Sequence, residues 1–177
     1  MSSKINIWPI VRDHLGTLED NRTKKISFLD LAVFFGIPVI AAVPLAWVDY
    51  ALSDSIRNVL GAAMAVFVGL LFNVLLLIYD VVSRREASTS NQRRREFLKE
   101  VYSNLAFAIL IAVVTLANLV STAFVTQPIA SLTLSGIVYY LSGVFSLTLL
   151  MVLKRIHALF ADQFAGINLQ SAEHTEG

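Results

Sequence analysis

The fold is decided by residues 101–153, VYSNLAFAILIAVVTLANLVSTAFVTQPIASLTLSGIVYYLSGVFSLTLLMVL, which contain no aspartate, glutamate, lysine or arginine. A helix needs about 20 apolar residues to cross the hydrocarbon core of a bilayer. This stretch is long enough for two crossings, and 126–128 can join them only as antiparallel neighbours. It therefore predicts a helical hairpin within a membrane.

Two further apolar runs lie towards the N-terminus, and the composition agrees with a membrane protein. Hydrophobic residues make up 56% of the 177-residue chain and charged residues 15%, and the mean hydropathy is +0.67; these values lie outside the usual soluble range. We predict an all-α membrane protein with four transmembrane helices, up-down-up-down. The expected segments are a leader at 1–27, spans at 28–47, 58–82, 101–125 and 129–153, a basic loop at 83–100, and a C-terminal helix and tail at 154–177.

Lysine and arginine are distributed unevenly along the chain. Of the fourteen, five precede the first span, six lie between the second and third, and two follow the fourth, whereas Arg57 alone lies between the first and second. Loops rich in these residues remain in the cytoplasm. Both termini and the middle loop are therefore expected in the cytoplasm. The net charge of +1 by itself indicates no polyanionic partner.

The leader contains an amphipathic pattern. Trp8, Val11, Leu15 and Leu18 recur at helical spacing after Pro9, which places them on one face of a short helix. Such a helix is expected to lie flat at the membrane surface, either as a gating element that responds to a cytoplasmic signal or as an anchor packed against the bundle.

Polar residues form stripes on the third and fourth spans. A stripe within the membrane can line a water-filled pathway in an oligomer, or it can bring helices together by packing and hydrogen bonding. Both interpretations stay open. The stripe residues are Asn104, Thr115, Asn118 and Thr122 on the third span and Ser131, Ser135, Tyr139, Ser142 and Ser146 on the fourth.

No pattern points to catalysis, to a metal or to a cofactor. The chain has no cysteine, and its three histidines, His14, His157 and His174, lie outside the spans, so haem ligation within the membrane is not expected. Phosphate-binding loops, nucleophile elbows and zinc spacings are absent from the sequence. We therefore expect no catalytic residues, no metal ligands and no cofactor.

Basic residues cluster near the cytoplasmic ends of the spans. They can set the topology and attract anionic lipid headgroups, or a ring of them in an oligomer can bind the phosphates of a nucleotide or oligonucleotide. Neighbouring glutamates, Glu86, Glu96 and Glu100, could instead neutralise them. The cluster comprises Arg84, Arg85, Arg93, Arg94, Arg95, Lys99, Lys154 and Arg155.

The leader also resembles a known group of proteins. Residues 13–27, DHLGTLEDNRTKKIS, run directly into the first span, which contains FFGIP at 34–38. This segment resembles small multi-span membrane effectors of bacterial antiphage operons, in particular the Hailong type paired with a nucleotidyltransferase; the Kiwa membrane subunit is similar in size and span count. The resemblance implies a tetrameric inner-membrane ion channel, held shut by a nucleic-acid-like signal and opened on infection. It implies no catalytic residues.

The leading hypothesis is a self-associating inner-membrane channel effector whose regulator is a nucleotide or oligonucleotide made by a partner nucleotidyltransferase. The second is a non-conducting scaffold or docking subunit of a larger complex. A third is a small exporter of lipophilic cations. The contrary evidence is that no span has a carboxylate at mid-membrane depth.

Overall fold

The fold is all-α. The computed structural model describes the backbone of residues 6–17, 28–47, 52–85 and 92–173, and the side chains of 6–17, 31–45, 52–83 and 96–158. Within these residues all regular structure is helical, which confirms the predicted class. The helices are α1 (Trp8–Gly16), α2 (Phe28–Trp47), α3 (Asp54–Arg85), α4 (Gln92–Thr122) and α5 (Pro128–Glu173).

Three of the helices have the length and composition of membrane spans. The qualifying stretches are Asp54–Ser83, Glu96–Thr122 and Pro128–Ala158, and they identify a membrane protein. In α2 the described apolar stretch, Leu31–Leu45, is shorter than these three. Four crossings and the orientation of the termini therefore stay predictions.

The ends of the long helices differ from the expected boundaries for local reasons. α4 ends at Thr122, where the amides of Ala123 and Phe124 bond to carbonyls three residues back, at 3.1 Å each. Such bonds close the last turn of a helix. α5 begins at Pro128, a residue suited to the first helical turn because it has no N–H to satisfy. It continues to Glu173, so the segment expected as a C-terminal helix is continuous with α5.

The helices form a row rather than a closed ring. α4 packs against α3 on one side and α5 on the other, α2 packs against α5, and α1 contacts α4. Among the described residues α2 and α3, at the two ends of the row, do not approach each other. A Cβ at Gly143 of α5 would lie 3.0 Å from the Cβ of Pro38 in α2, so this glycine permits the close approach of the two helices.

The core lies between α3, α4 and α5. Its buried members include Met64 of α3, Leu105 and Ala108 of α4 and Phe145 of α5. The ring of Phe67 meets that of Phe145 edge-on at a centroid distance of 5.6 Å. Since lipid is as apolar as these side chains, close packing rather than exclusion of water holds such helices together.

The outer faces of the row are apolar and exposed. Ile40 of α2 is 73% exposed and Leu77 of α3 is 62% exposed, and many similar side chains surround them. Apolar surface on this scale is typical of contact with lipid or with further protein.

Candidate functional site

Helix α1 is formed by local signals in the leader. Pro9 lies in its first turn, and the side-chain carbonyl of Asn6 accepts a hydrogen bond from the Trp8 amide at 3.0 Å. Both features favour a helix start at this point. The face of α1 that meets the bundle carries Ile10, Val11 and His14.

The predicted apolar face of the leader agrees only in part with this packing. Val11 packs against the bundle as expected, whereas the Trp8 side chain is 64% exposed. Leu15 is half-buried, and Leu18 lies outside the described residues. The residue that α1 buries completely is His14, a polar one.

His14 occupies an aromatic slot between α2 and α4. Its ring is fully buried and stacks on Phe107 of α4, with centroids 3.8 Å apart and planes 5° from parallel. Phe34 of α2 lies at 5.3 Å with its ring tilted by 52°. The Nδ1 atom is 2.8 Å from the side-chain carbonyl oxygen of Asn104.

These contacts determine the charge of His14. The Asn104 oxygen is an acceptor, so Nδ1 carries the proton, and Nε2 is buried without a hydrogen-bond partner in the described part of the chain. Burial lowers the pKa of His14 to about 4; the bond to Asn104 opposes this shift, and the positive charge of Arg155 adds to it. His14 is therefore neutral at pH 7.

The residue that follows α1 joins the same cluster. The hydroxyl of Thr17 lies 2.8 Å from the side-chain oxygen of Asn104 and 2.7 Å from the carbonyl of His14, and it can donate its one proton to either. The carbonyl of Thr17 accepts a 2.6 Å bond from Arg155 of α5. Arg155 also forms an ion pair with Glu100 of α4.

We call these five residues, His14, Thr17, Glu100, Asn104 and Arg155, the α1 docking network. It fastens the leader to α4 through Asn104 and to α5 through Arg155. Bonds to charged groups are stronger than neutral ones, and buried polar groups must be satisfied or cost free energy. The arrangement therefore specifies one position of α1 on the bundle.

Of this network, the polar stripe predicts Asn104, the basic cluster predicts Arg155, and Glu100 is expected as a group that could neutralise the cluster. No sequence pattern predicts His14 or Thr17 as site residues. The signal available in the sequence was that His14 follows Ile10 and Val11 by four and three residues, which places it on their helical face.

The other stripe residues lie along α4 and α5, mostly bonded to their own helices. Thr115, Thr122 and Ser142 donate their hydroxyl protons to backbone carbonyls at 2.6–2.7 Å. The side-chain amide of Asn118 and the hydroxyl of Ser146 donate to backbone carbonyls at 2.9 Å. Buried members are Asn104, Thr115, Thr122 and Ser135; partly buried members are Asn118, Ser131, Tyr139 and Ser142; Ser146 is exposed.

The expected basic cluster is divided by the structure. Arg155 is half-buried within the α1 docking network, whereas Lys99 and Lys154 are exposed. The side chains of the remaining arginines lie outside the described residues; these are Arg84, Arg85, Arg93, Arg94 and Arg95. A ring of cations around an oligomer axis therefore stays a prediction.

Within the described residues, no group of three histidine, aspartate or glutamate side chains could hold a metal ion. The site consists of hydrogen bonds, one ion pair and a stacked histidine, and these contacts hold α1 against the bundle. Comparison of the chain with protein-family models, with curated proteins and with solved structures finds no match, so the interpretation of this site depends on its own geometry.

Proposed function

We propose that this chain is the subunit of an oligomeric inner-membrane ion channel, an effector of bacterial antiphage defence gated from the cytoplasmic side by a nucleotide or oligonucleotide signal. In this proposal α2, with 20 residues, is the fourth crossing, and both termini are cytoplasmic. The observation that carries the proposal is that the α1 docking network joins the leader to both helices that bear the polar stripes. The defence role rests on the resemblance of the leader.

The network provides a route from a cytoplasmic signal to the membrane helices. Displacing α1 removes the contact of His14 with Asn104 and the contact of Thr17 with Arg155 together. One contact lies on α4 and the other on α5, so the position of α1 biases how these two helices sit against each other. A ligand that binds better to one position of α1 shifts the equilibrium between the two states.

The conducting pathway in this proposal lies between copies of the chain. One copy is a row with free edges, and a tetramer of such rows can enclose a lumen. Asn118, near the end of α4, and Ser142 and Ser146 of α5 are among the stripe residues that retain exposure. Their oxygens keep acceptor lone pairs when the protons are donated to the backbone, and such oxygens can contact partly hydrated cations.

Ion flux from liposomes that contain the purified chain tests the proposal. Asn118→Leu and Ser142→Leu should abolish flux without changing the mass of the oligomer in detergent. Val120→Leu is the matched control, since Val120 lies on the same helix as Asn118 and is 58% exposed, and it should conduct normally. Added nucleotides or short oligonucleotides should change the wild-type flux. Unchanged conductance in both polar variants would refute the assignment.

A non-conducting scaffold is the second candidate, and one observation favours it. Thr115 and Thr122 are buried, and their hydroxyls are satisfied by their own helices, as packing surfaces would require. A defined oligomer that is silent in liposomes under every condition, with or without nucleotides, would select the scaffold.

A further inference from the structure

A cleft of about 610 Å³ opens between α1 and α4, beside the docking network but separate from it in most of its residues. Ligand sites are typically about 300–1,000 Å³, so the cleft can hold a small molecule or a headgroup. Its lining includes Trp8, Arg12, Asp13, Glu96, Lys99 and Ser103.

Ser103 is the feature that marks the cleft as a binding site. It is 7% exposed, yet its hydroxyl has no hydrogen-bond partner among the residues that the structure describes. Several other hydroxyls of α4 and α5, such as those of Thr115 and Ser142, bond to the carbonyl four residues earlier. Ser135 of α5 is also buried without a partner among the described residues, but it does not line the cleft. An unsatisfied buried hydroxyl costs free energy. Ser103 lines the cleft, so rotation of its side chain towards the cleft would let a polar group of a ligand satisfy the hydroxyl.

The charges of the lining have both signs. Arg12 and Lys99 supply two cations, and Asp13, Glu96 and Glu100 add three carboxylates on the same walls, of which Glu100 is paired with Arg155. In the described part of the chain Arg12, Asp13 and Lys99 form no ion pair with one another or with other side chains. A simple anion would meet the cations but would also meet the carboxylates, whereas a zwitterion can satisfy both.

The position of the cleft indicates the source of that zwitterion. In α4 the charged residues Glu96, Lys99 and Glu100 give way at Val101 to an apolar sequence without charges, so this level of the helix corresponds to the membrane surface. At the rim of the cleft Trp8 is 64% exposed, and Ile7, next to it, is 52% exposed. Exposed tryptophan is typical of the lipid headgroup region.

We propose that the α1–α4 cleft binds the headgroup of a zwitterionic phospholipid with a primary ammonium, that is, a phosphoethanolamine headgroup. Arg12 and Lys99 bind the phosphate, Asp13 accepts the ammonium, and Ser103 bonds to a phosphate oxygen. The acyl chains then extend past Trp8 into the bilayer. This site does not depend on ion conduction, so it can be tested whether or not the chain is a channel.

Native mass spectrometry of the full chain in detergent tests the proposal, with phosphatidylethanolamine, phosphatidylcholine and phosphatidylglycerol of identical acyl chains as probes. Phosphatidylcholine keeps the charges but cannot donate a hydrogen bond from its ammonium. We expect phosphatidylethanolamine to bind roughly tenfold more tightly than phosphatidylcholine, as one charge-assisted hydrogen bond would give. Asp13→Asn should abolish that preference, and Lys99→Gln should weaken binding of all three lipids.

Asp54→Asn is the matched control for Asp13→Asn, because Asp54 is an exposed aspartate that does not line the cleft. Its lipid binding should equal that of the wild type. Tightest binding of phosphatidylglycerol, unaffected by Asp13→Asn, would overturn the zwitterion assignment in favour of an anion site. Equal binding of the three lipids by wild type and by Lys99→Gln would show that lipid binds the chain non-specifically, and it would overturn the proposed site. Displacement of lipid by soluble phosphoethanolamine at equal concentration would overturn the lipid assignment.

Discussion

Replacing Asn104 with leucine should release α1 from the bundle while leaving the transmembrane helices packed. Leucine has the same number and branching of side-chain heavy atoms as asparagine, so the change removes the polar amide atoms without opening a cavity. The Asn104 oxygen is the contact at 2.8 Å for both the His14 ring and the Thr17 hydroxyl. The variant therefore removes the link between α1 and α4 at its centre.

The size of the effect follows from the partners that remain. The Thr17 hydroxyl keeps the His14 carbonyl at 2.7 Å, so it loses little. The His14 ring loses its acceptor, and moving the proton to Nε2 does not help, because Nε2 has no partner in the described residues. A buried unsatisfied donor costs about 1–3 kcal/mol. The Nδ2 group of Asn104 is itself unsatisfied, and its removal offsets part of this cost.

We therefore expect a net loss of about 1–2 kcal/mol, which corresponds to roughly a 5- to 30-fold rise in the open population of α1. Hydrogen–deuterium exchange of the peptide covering α1 measures this population directly. Asn118→Leu is the matched control, since Asn118 bonds only to the Val114 carbonyl of its own helix, at 2.9 Å. Equal exchange in wild type and Asn104→Leu, or an equal rise in both variants, would refute the reasoning.

Two further predictions concern the same packing. Burial lowers the pKa of His14 from 6.5 to about 4, so released α1 binds a proton more readily than docked α1. Docking should therefore weaken as pH falls from 6.5 towards 4, by on the order of 3 kcal/mol in total. Arg155 and Glu100 also face this region. Hydrogen–deuterium exchange of α1 measured against pH checks this: His14→Gln should flatten the pH dependence, and His157→Gln, at an exposed site, should not. An unchanged slope in His14→Gln would show that His14 is not the group that titrates. Gly143→Ala places a Cβ 3.0 Å from that of Pro38 and should destabilise the bundle by about 1–3 kcal/mol. Gly69→Ala, whose Cβ would meet nothing within 4 Å, should not lower the thermal unfolding midpoint in detergent, because alanine is the better helix former. An equal midpoint for both alanine variants would show that α2 does not pack closely on α5.

The helices could be predicted from the sequence because their signals are local. A long apolar run without charges, as in 101–153, specifies membrane helices by itself, although α5 begins at Pro128, one residue before the predicted span. The order of the row could not be predicted in the same way. It depends on contacts such as Gly143 with Pro38, which join residues far apart in sequence, and no spacing rule connects them.

The candidate site could be predicted from the sequence only in part, for a related reason. Asn104 could be placed on a polar stripe because helical periodicity is a property of one segment. Periodicity could not predict that Asn104 differs from Thr115 and Asn118 in its partner. Thr115 and Asn118 bond to their own helix, whereas Asn104 bonds to His14. Whether a histidine is buried depends on what surrounds it, and here the surroundings include Phe107 from a distant part of the chain.

Arg155 shows how the structure changes the electrostatic argument. By sequence it is one of a pair with Lys154 and equally able to bind an anion. In the structure its guanidinium is already occupied by Glu100 and by the carbonyl of Thr17, whereas Lys154 is exposed. An anion that takes over the Nη2 donor of Arg155 would displace the carbonyl of Thr17, which lies at the end of α1. Anion binding in that position and docking of α1 would then be opposed, and by linkage each would weaken the other by the same factor.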